Sequence, residues 1–213
     1  MLHETRAVRH SDPHTEALRA EFQSSHSARL PGLLDAVLVE AVTEGMRRGT
    51  WMTNEHDGLG REVILDDVRT LDLLHFVANT PAFLAVVREL TGHTAITRFE
   101  GRVYRMIPGT DHHDSWHDDA GGHRLVGMSL NLGPRPYMGG CFQLREKSEP
   151  TVRRELPNLA PGHAILFRIS PALTHRVTRV VGAEPKTAFA GWFLSGGSDY
   201  FSTLLGAARS PRV

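Results

Sequence analysis

The residues best suited to bind a metal ion are histidine–aspartate pairs separated by one residue. The sequence contains three such pairs: His10 with Asp12, His112 with Asp114, and His117 with Asp119. In an extended segment, residues two apart lie on the same side of the backbone. Each pair could therefore present one imidazole and one carboxylate to the same ion.

Position along the chain argues against two of the pairs. Asp12 directly precedes Pro13, and Asp followed by Pro is typical of a helix start, so we interpret Asp12 as a helix cap. The second pair falls in a polar loop directly after Pro108-Gly109. Because metal ligands need rigid support, this loop is the weaker candidate.

The third pair is the best placed. His117 and Asp119 follow Trp116 and precede a predicted strand at 125–132. In extended backbone the intervening Asp118 would point the other way. We therefore predict that His117 and Asp119 are the ligands.

A further ligand must come from a distant part of the chain, and two histidines are candidates. His163 lies in a Pro-Gly-His turn, which is typical of a surface position, whereas His175 begins a β-rich run. Lys186 follows His175 by eleven residues, and a hairpin of this length would place its ammonium beside the metal, where it could pair with the far carboxylate of a dicarboxylic ligand. We therefore favour His175. Two imidazoles and one carboxylate on one face of a metal ion are typical of non-haem Fe(II) and leave about three positions open.

Besides the helix that Asp12-Pro13 would start, two helices are predicted in the first half of the chain, in a helical part spanning about 12–92. The first carries an apolar stripe and ends at Gly49; the stripe contains Leu34, Val37, Leu38, Ala41 and Val42. The second begins at Thr80-Pro81 and ends at Gly92.

After Gly92 the sequence changes to short β-rich runs separated by Gly, Pro, Asn and Asp. The predicted strands are 94–99, 102–106, 125–132, 141–145, 164–167, 176–181 and 187–193. Strands of this length and spacing favour a sandwich or barrel. With no repeat and no low-complexity linker, we expect an α+β fold in one domain, 1–213, whose β core spans about 94–194 and carries the helices on one face.

Composition excludes several classes of partner. Lys plus Arg equals Asp plus Glu, 24 each, so no net basic field favours nucleic acid. No apolar run is long enough to span a bilayer, and the charged N-terminal residues do not predict a secretory signal. Cys141 is the single cysteine, which excludes an internal disulfide and favours a cytoplasmic location.

Taken in order, several segments resemble the Fe(II)/2-oxoglutarate-dependent dioxygenase superfamily, nearest to its prolyl-4-hydroxylase-like branch. The matching segments are the strand 102–106 with the following Ile-Pro-Gly, Ser-Trp-His-Asp-Asp at 115–119, Met-Ser-Leu-Asn-Leu at 128–132, Gly-Gly-Cys-Phe-Gln-Leu at 139–144, Pro-Gly-His-Ala-Ile-Leu-Phe at 161–167, His-Arg-Val-Thr at 175–178, and the run from Lys186 to Phe193. Together they cover roughly residues 94–194. Leu-Pro-Gly-Leu-Leu-Asp at 30–35 also resembles the helical entry of such enzymes.

The resemblance implies a double-stranded β-helix, also called a jelly roll. It implies Fe(II) bound by His117, Asp119 and His175. It further implies 2-oxoglutarate bound to the iron through its 2-oxo acid end, with its other carboxylate held by Lys186. In the family, O2 then converts 2-oxoglutarate to succinate and CO2 while an unactivated C–H bond is oxidised, and ascorbate supports turnover.

The cosubstrate residues depart from the family pattern. Relatives commonly carry a tyrosine where this chain has Met106, so we assign that role to Tyr104 on the same face of the strand. The cation is often arginine in relatives, and Lys186 is less suited to a two-pronged contact. Ser129 lies where relatives place a residue of the cosubstrate pocket. Related halogenases lack the carboxylate ligand, so Asp119 favours hydroxylation.

Three functions remain open at this stage. The first is a hydroxylase of a small molecule or an amino acid. The second is a protein or peptide prolyl hydroxylase. The third is a cupin-like jelly-roll protein that binds metal without oxygenase activity.

Overall fold

The computed structural model describes residues 13–56, 60–110, 115–157, 160–197 and 200–201. The four long helices are α1 (Pro13–Ser25), α2 (Ala36–Arg48), α3 (Val68–Ala78) and α4 (Pro81–Thr91). The twelve strands are β1 (Ser27–Leu30), β2 (Thr50–His56), β3 (Gly60–Asp66), β4 (Ile96–Met106), β5 (Arg124–Asn131), β6 (Met138–Gly139), β7 (Phe142–Glu146), β8 (Arg154–Leu156), β9 (Ala164–Arg168), β10 (Leu173–Val177), β11 (Val180–Val181) and β12 (Lys186–Ser195).

Side-chain caps and glycines define the two predicted helices. In α2, the Asp35 side chain accepts a hydrogen bond from the backbone of Leu38, and the helix ends at Gly49. In α4, Thr80 caps the first turn, and Gly92 adopts a left-handed conformation (φ 76°) that ends the helix. Both helices therefore end close to where the sequence predicts.

Two antiparallel sheets form the β core. The large sheet has seven strands in the order β1-β9-β5-β12-β4-β3-β2, and the small sheet has the order β10-β7-β8. A further pair, β11-β6, lies outside both. This α+β arrangement of antiparallel sheets with N-terminal helices confirms the predicted jelly-roll fold class.

Apolar residues pack on both faces of the large sheet. On one face, Phe22, Leu74, Val87 and other helix residues pack against Met128 and further strand residues. On the other face, a smaller cluster that includes Phe142, Leu144 and Phe167 lies between the two sheets. The helices thus brace the large sheet from outside.

The structure differs from the sequence-based expectation at several elements. The predicted strands 94–99 and 102–106 are one strand, β4, and the predicted strand 176–181 is divided between β10 and β11. The N-terminal part contains α3 and the strands β1–β3, which were not predicted.

The predicted hairpin between His175 and Lys186 is wrong. His175 lies on β10, which pairs with β7 in the small sheet, whereas Lys186 begins β12, which pairs with β4 and β5 in the large sheet. The chain crosses between the sheets after β10. Lys186 therefore reaches the interior from the opposite wall.

Among the described residues, no single helix is both long and apolar enough to cross a membrane, and α3 with α4, bent by 55°, meets the length and composition criteria only as a pair.

Candidate metal centre and adjoining cavity

Three predicted ligands converge at the edge of the small sheet that β10 forms. One ligand atom each from His117, Asp119 and His175 lies within 4.8 Å of the other two. His175 Nε2 is 3.4 Å from Asp119 Oδ2, and His117 Nε2 is 4.0 Å from Asp119 Oδ1. The sequence prediction of this triad agrees with the geometry.

Backbone pairing holds the two histidines together. The N–H of His117 donates to the carbonyl of His175 (3.1 Å), and the N–H of His175 donates to the carbonyl of His117 (2.8 Å). This isolated bridge attaches the His-x-Asp segment to β10. The two imidazole centroids are 4.4 Å apart as a result.

Asp119 occupies an unusual backbone conformation. Its φ is 51°, in the left-handed region that non-glycine residues rarely adopt. The indole N–H of Trp192 donates to Asp119 Oδ2 at 2.8 Å, and the guanidinium of Arg124 is 3.8 Å from Oδ1. Arg124 also stacks on the Trp192 ring, 3.7 Å from its centroid. These contacts set the direction of the Asp119 carboxylate.

Neighbouring side chains anchor the segment from its other face. Asp118 forms an ion pair with Lys147 at 2.7 Å, so it points away from the triad as predicted. The Trp116 ring contacts the guanidinium groups of Arg145 and Arg176, at 4.2 and 4.7 Å from its centroid. Trp116 therefore supports the metal segment from outside.

The electrostatics favour the forms that bind metal. Burial would raise the pKa of Asp119, but hydrogen bonds from His175 and Trp192 and the nearby histidine charges lower it to about 2. Burial lowers the pKa of His175, although Asp119 opposes this shift. An ionised carboxylate beside a neutral imidazole is the state that coordinates a cation.

The donor set fits Fe(II). It consists of two imidazoles and one carboxylate, with ligand atoms close enough to share one ion. It contains no thiolate, the ligand that softer metals select.

A cavity of about 300 Å³ opens beside the triad. It is lined by Glu62, Arg102, Tyr104, Met106, Ser115, Arg124, Met128, Ser129, Phe142, Phe167, Val177, Ala190, Gly191 and Trp192, together with the triad. Small residues of the large sheet leave room opposite the ligands, because Ala190 on β12 pairs with Ser129 on β5. The triad thus faces a partly enclosed cavity.

The three predicted cosubstrate residues lie on the large sheet. Tyr104 and Ser129 line the cavity. Burial raises the pKa of Tyr104 to about 12, a shift that a side-chain hydrogen bond with Ser129 opposes. Lys186 pairs in register with Met106, two residues along β4 from Tyr104. Their roles in cosubstrate binding stay predictions.

Lys186 is a buried cation with one hydrogen bond to the protein. Its Nζ donates to the carbonyl of Gly140 at 3.0 Å. Within the described ranges no carboxylate lies within ion-pair distance of it. Burial lowers the pKa of Lys186 to about 8. A buried ammonium without a counter-ion is costly, so a carboxylate ligand would stabilise this side chain.

Sequence reasoning missed two residues of the site. Trp192 was not assigned to the site from the sequence, yet its indole N–H donates to Asp119; its even spacing from Lys186 along a strand was the available signal. Tyr137, 6.0 Å from the Lys186 ammonium by its ring centroid, lies in a loop for which the sequence offers no signal.

The rival ligand candidates are separate from this centre or outside the described residues. His163 lines a different cavity of about 720 Å³ together with Leu34 and with α2 residues such as Val39. His112 and Asp114, like His10 and Asp12, lie outside the part of the chain that the structure describes.

Comparison with known proteins agrees with this geometry. Residues 101–194 match the family model described as the 2OG-Fe(II) oxygenase superfamily. This segment contains all three ligands and most of the cavity wall. No curated protein matches the sequence.

Solved structures of low sequence identity share the fold. An oxidoreductase of the 2OG-Fe(II) oxygenase family from Burkholderia pseudomallei is 17% identical (TM-score 0.63; 87% of this chain and 92% of that chain covered). A prolyl-4-hydroxylase from Pseudomonas putida is 17% identical (TM-score 0.62; 86% and 100% covered). The non-heme alpha ketoglutarate dependent epimerase SnoN from nogalamycin biosynthesis is 17% identical (TM-score 0.65; 86% and 84% covered). At this identity the likeness establishes the fold.

Proposed function

We propose that this protein, whose residues 101–194 match the 2OG-Fe(II) oxygenase superfamily, hydroxylates an unactivated C–H bond of a small molecule or an amino acid, with release of succinate and CO2. The observation that carries this proposal is the triad His117, Asp119 and His175 opening onto a partly enclosed cavity. Asp119 supports hydroxylation, since it supplies the third protein ligand.

The protein residues would hold and orient the metal. His117, Asp119 and His175 would bind Fe(II), and Trp192 would hold the carboxylate of Asp119 in place. Bound Fe(II) supplies O2 activation coupled to oxidation of 2-oxoglutarate. The protein's contribution is a fixed set of three ligands with open positions beside them.

The large sheet would hold the cosubstrate. We assign the far carboxylate of 2-oxoglutarate to the ammonium of Lys186, with Tyr104 as a hydroxyl partner and Ser129 bonded to Tyr104. The buried position of Lys186 supports this role, because a charge-assisted hydrogen bond is strongest away from water.

Apolar side chains would keep water away from the reacting C–H bond. Phe142, Phe167 and Val177 line the cavity beside the triad. Excluding water from such a site strengthens electrostatic interactions and suppresses side reactions.

A peptide or protein prolyl hydroxylase is the second candidate. The specific support for it is the fold likeness to the P. putida prolyl-4-hydroxylase, of which the whole length is covered. The cavity beside the triad, about 300 Å³, is at the low end for ligand pockets and favours a small substrate instead.

An isotope experiment tests the proposal. The protein would be incubated with Fe(II), ascorbate, 2-oxoglutarate and oxygen-18 gas, together with free amino acids or proline-containing peptides. We expect labelled succinate and a product that carries one labelled oxygen atom, with free amino acids preferred. Labelled succinate together with an unlabelled, isomerised product would show that the reaction is epimerisation and not hydroxylation. If no compound leads to succinate, the protein is not an oxygenase under these conditions.

A further inference from the structure

Two arginines line the cavity without being metal ligands. Arg102 lies on β4 opposite Ala190 of β12, and Arg124 begins β5 beside the His-x-Asp segment. Both line the same partly enclosed cavity as the triad. Their partners decide which of them is available to a substrate.

Arg102 is clamped by a buried carboxylate. The Glu62 side chain is 8% exposed and accepts hydrogen bonds from Arg102 Nε (3.2 Å) and Nη2 (3.1 Å). Within the described ranges, Nη1 of Arg102 makes no hydrogen bond, and the side chain is 44% exposed. The clamp fixes the guanidinium before any ligand arrives, which lowers the entropic cost of binding through Nη1.

Arg124 has a weaker counter-ion. Its guanidinium lies flat on Trp192, and among the described residues the carboxylate within 4.0 Å of it is that of Asp119, at 3.8 Å. This separation is longer than a hydrogen bond. When Asp119 binds a metal ion, its negative charge offsets the charge of that ion and no longer that of Arg124.

Charge balance then identifies what is missing from the cavity. In the proposed function, Fe(II), the Asp119 carboxylate, dianionic 2-oxoglutarate and the Lys186 ammonium carry no net charge together. Glu62 neutralises Arg102. The guanidinium of Arg124 is left without a counter-ion in a partly desolvated cavity, where an unpaired charge is costly.

We infer that the substrate is a small monocarboxylate whose carboxylate group is bound by Arg124 and Arg102. This inference rests on the proposed function and makes its substrate class more specific. The size of the cavity fits a substrate of about the dimensions of an amino acid or a hydroxy acid. A proline inside a peptide carries no carboxylate at that position and would leave Arg124 unpaired.

Matched pairs of probes test the inference. The protein would be loaded anaerobically with Fe(II) and 2-oxoglutarate, which should produce a visible charge-transfer band, and titrated with the common L-amino acids, the corresponding 2-hydroxy acids and the primary amides of both. We expect at least one acid to perturb the band and to accelerate succinate formation on admission of O2. The corresponding amide should need a concentration at least about tenfold higher for the same effect on the band, because a charge-assisted contact is lost.

Two variants locate the effect. Arg124→Gln should raise the required acid concentration about tenfold or more, and the double change Glu62→Gln with Arg102→Gln should do the same without leaving an unpaired buried charge. Arg98→Gln is the matched control, because Arg98 lies on β4, the strand that carries Arg102, and pairs with Glu100 outside the cavity. It should keep the preference for acids.

The possible outcomes separate this inference from the proposed function. Equal responses to acids and amides, no response to any acid although the band forms, or an acid preference that survives in both variants would each overturn the inference. A wild-type protein that forms no band would instead contradict the proposed function itself.

Discussion

Asp119 illustrates how single residues set the chemistry of the site. Its backbone lies in the left-handed region, its carboxylate accepts the indole N–H of Trp192, and a guanidinium stands 3.8 Å away. Such local strain persists only where the surroundings fix the conformation. The contacts that fix Asp119 are therefore as important to metal binding as the ligand itself.

The hydrogen bond from Trp192 should strengthen metal binding. We expect Trp192→Phe to weaken Fe(II) or Co(II) affinity by roughly 10- to 100-fold, the usual effect of losing a partner of a metal ligand. Anaerobic metal titration measures this directly.

Trp51→Phe is the matched control for this prediction. Trp51 also carries an arginine over its ring, Arg105 at 3.8 Å, and its indole N–H donates to a carbonyl, that of Met46, but it lies outside the cavity. Equal losses of affinity in both variants would show that the effect comes from general destabilisation rather than from Asp119.

Lys186 should make cosubstrate binding depend on pH. Its pKa is lowered to about 8 by burial, and a dicarboxylate binds its protonated form. We expect 2-oxoglutarate affinity to be constant below that pH and to fall by up to about tenfold per pH unit above it. Anaerobic titration with 2-oxoglutarate across pH 7–10 measures the dependence.

The same burial predicts the pH dependence of stability. Between pH about 8 and 10.5, Lys186 binds a proton in the unfolded chain but not in the folded protein, so the free energy of unfolding should rise with pH in that window.

The variant Lys186→Arg tests the predicted pH dependence of cosubstrate binding. Its side chain stays charged, so the loss of 2-oxoglutarate affinity at alkaline pH should disappear. If 2-oxoglutarate affinity depends on pH in the variant as it does in the wild type, a side chain other than Lys186 binds the far carboxylate of the cosubstrate.

At the scale of elements, the site depends on two walls that arrive from separate sheets. The small sheet supplies His175 and, through an isolated bridge, His117, whereas β12 of the large sheet supplies Lys186 and Trp192. The relative placement of the two sheets thus sets the distance between the triad and the residues that we propose to hold the cosubstrate.

Close backbone contact between β12 and β4 should be essential to that placement. Gly191 faces Gly101 across the two strands, and a Cβ at position 191 would lie 2.0 Å from the carbonyl oxygen of Glu100. We expect Gly191→Ala to lower the free energy of unfolding by about 1–3 kcal/mol or more, because the strands must separate. Denaturant unfolding checks this.

Gly133→Ala is the matched control for Gly191. Its new Cβ would meet the Asn131 side chain at 3.3 Å, where a small shift suffices. A Gly191→Ala protein as stable as this control would show that the strand contact is not tight.

The sequence predicted elements where local signals are strong. Capped helices such as α2 and α4 and the apolar strands of the core were located close to their observed bounds. The strands β1–β3 were missed because their pairing is with distant strands: Ser27 pairs with Phe167, and Val63 with Arg105. Local patterns carry little information about such partners.

Local and long-range contacts also explain which residues of the site the sequence predicted. The spacing of His117 and Asp119 reflects a local rule of extended backbone, so the pair was predictable. The contact of Trp192 with Asp119 joins residues 73 positions apart, and the Glu62 clamp on Arg102 joins residues 40 apart. Contacts of this kind require the fold.

At the scale of the whole molecule, the helices and the large sheet form a support for one cavity. Buried aromatic residues such as Phe22, Phe99 and Phe193 join helices to the outer face of the sheet, while its inner face carries the small and polar residues of the cavity. The packed outer layer lets part of the inner face carry small side chains, such as Ala190 and Ser129 beside the cavity. In a chain of 213 residues, the cavity thus depends on one face of the large sheet being packed by helices while the other face lines the site.

The central claim is that His117, Asp119 and His175 bind Fe(II) so that 2-oxoglutarate can join it. The most direct measurement is the anaerobic visible difference spectrum on adding 2-oxoglutarate to the protein with Fe(II), compared with that of His175→Ala. We predict a charge-transfer band in the wild type, its absence in the variant, and its bleaching with succinate formation on admission of O2. A wild-type protein that binds Fe(II) but gives no band, or a His175→Ala variant that keeps it, would contradict the account.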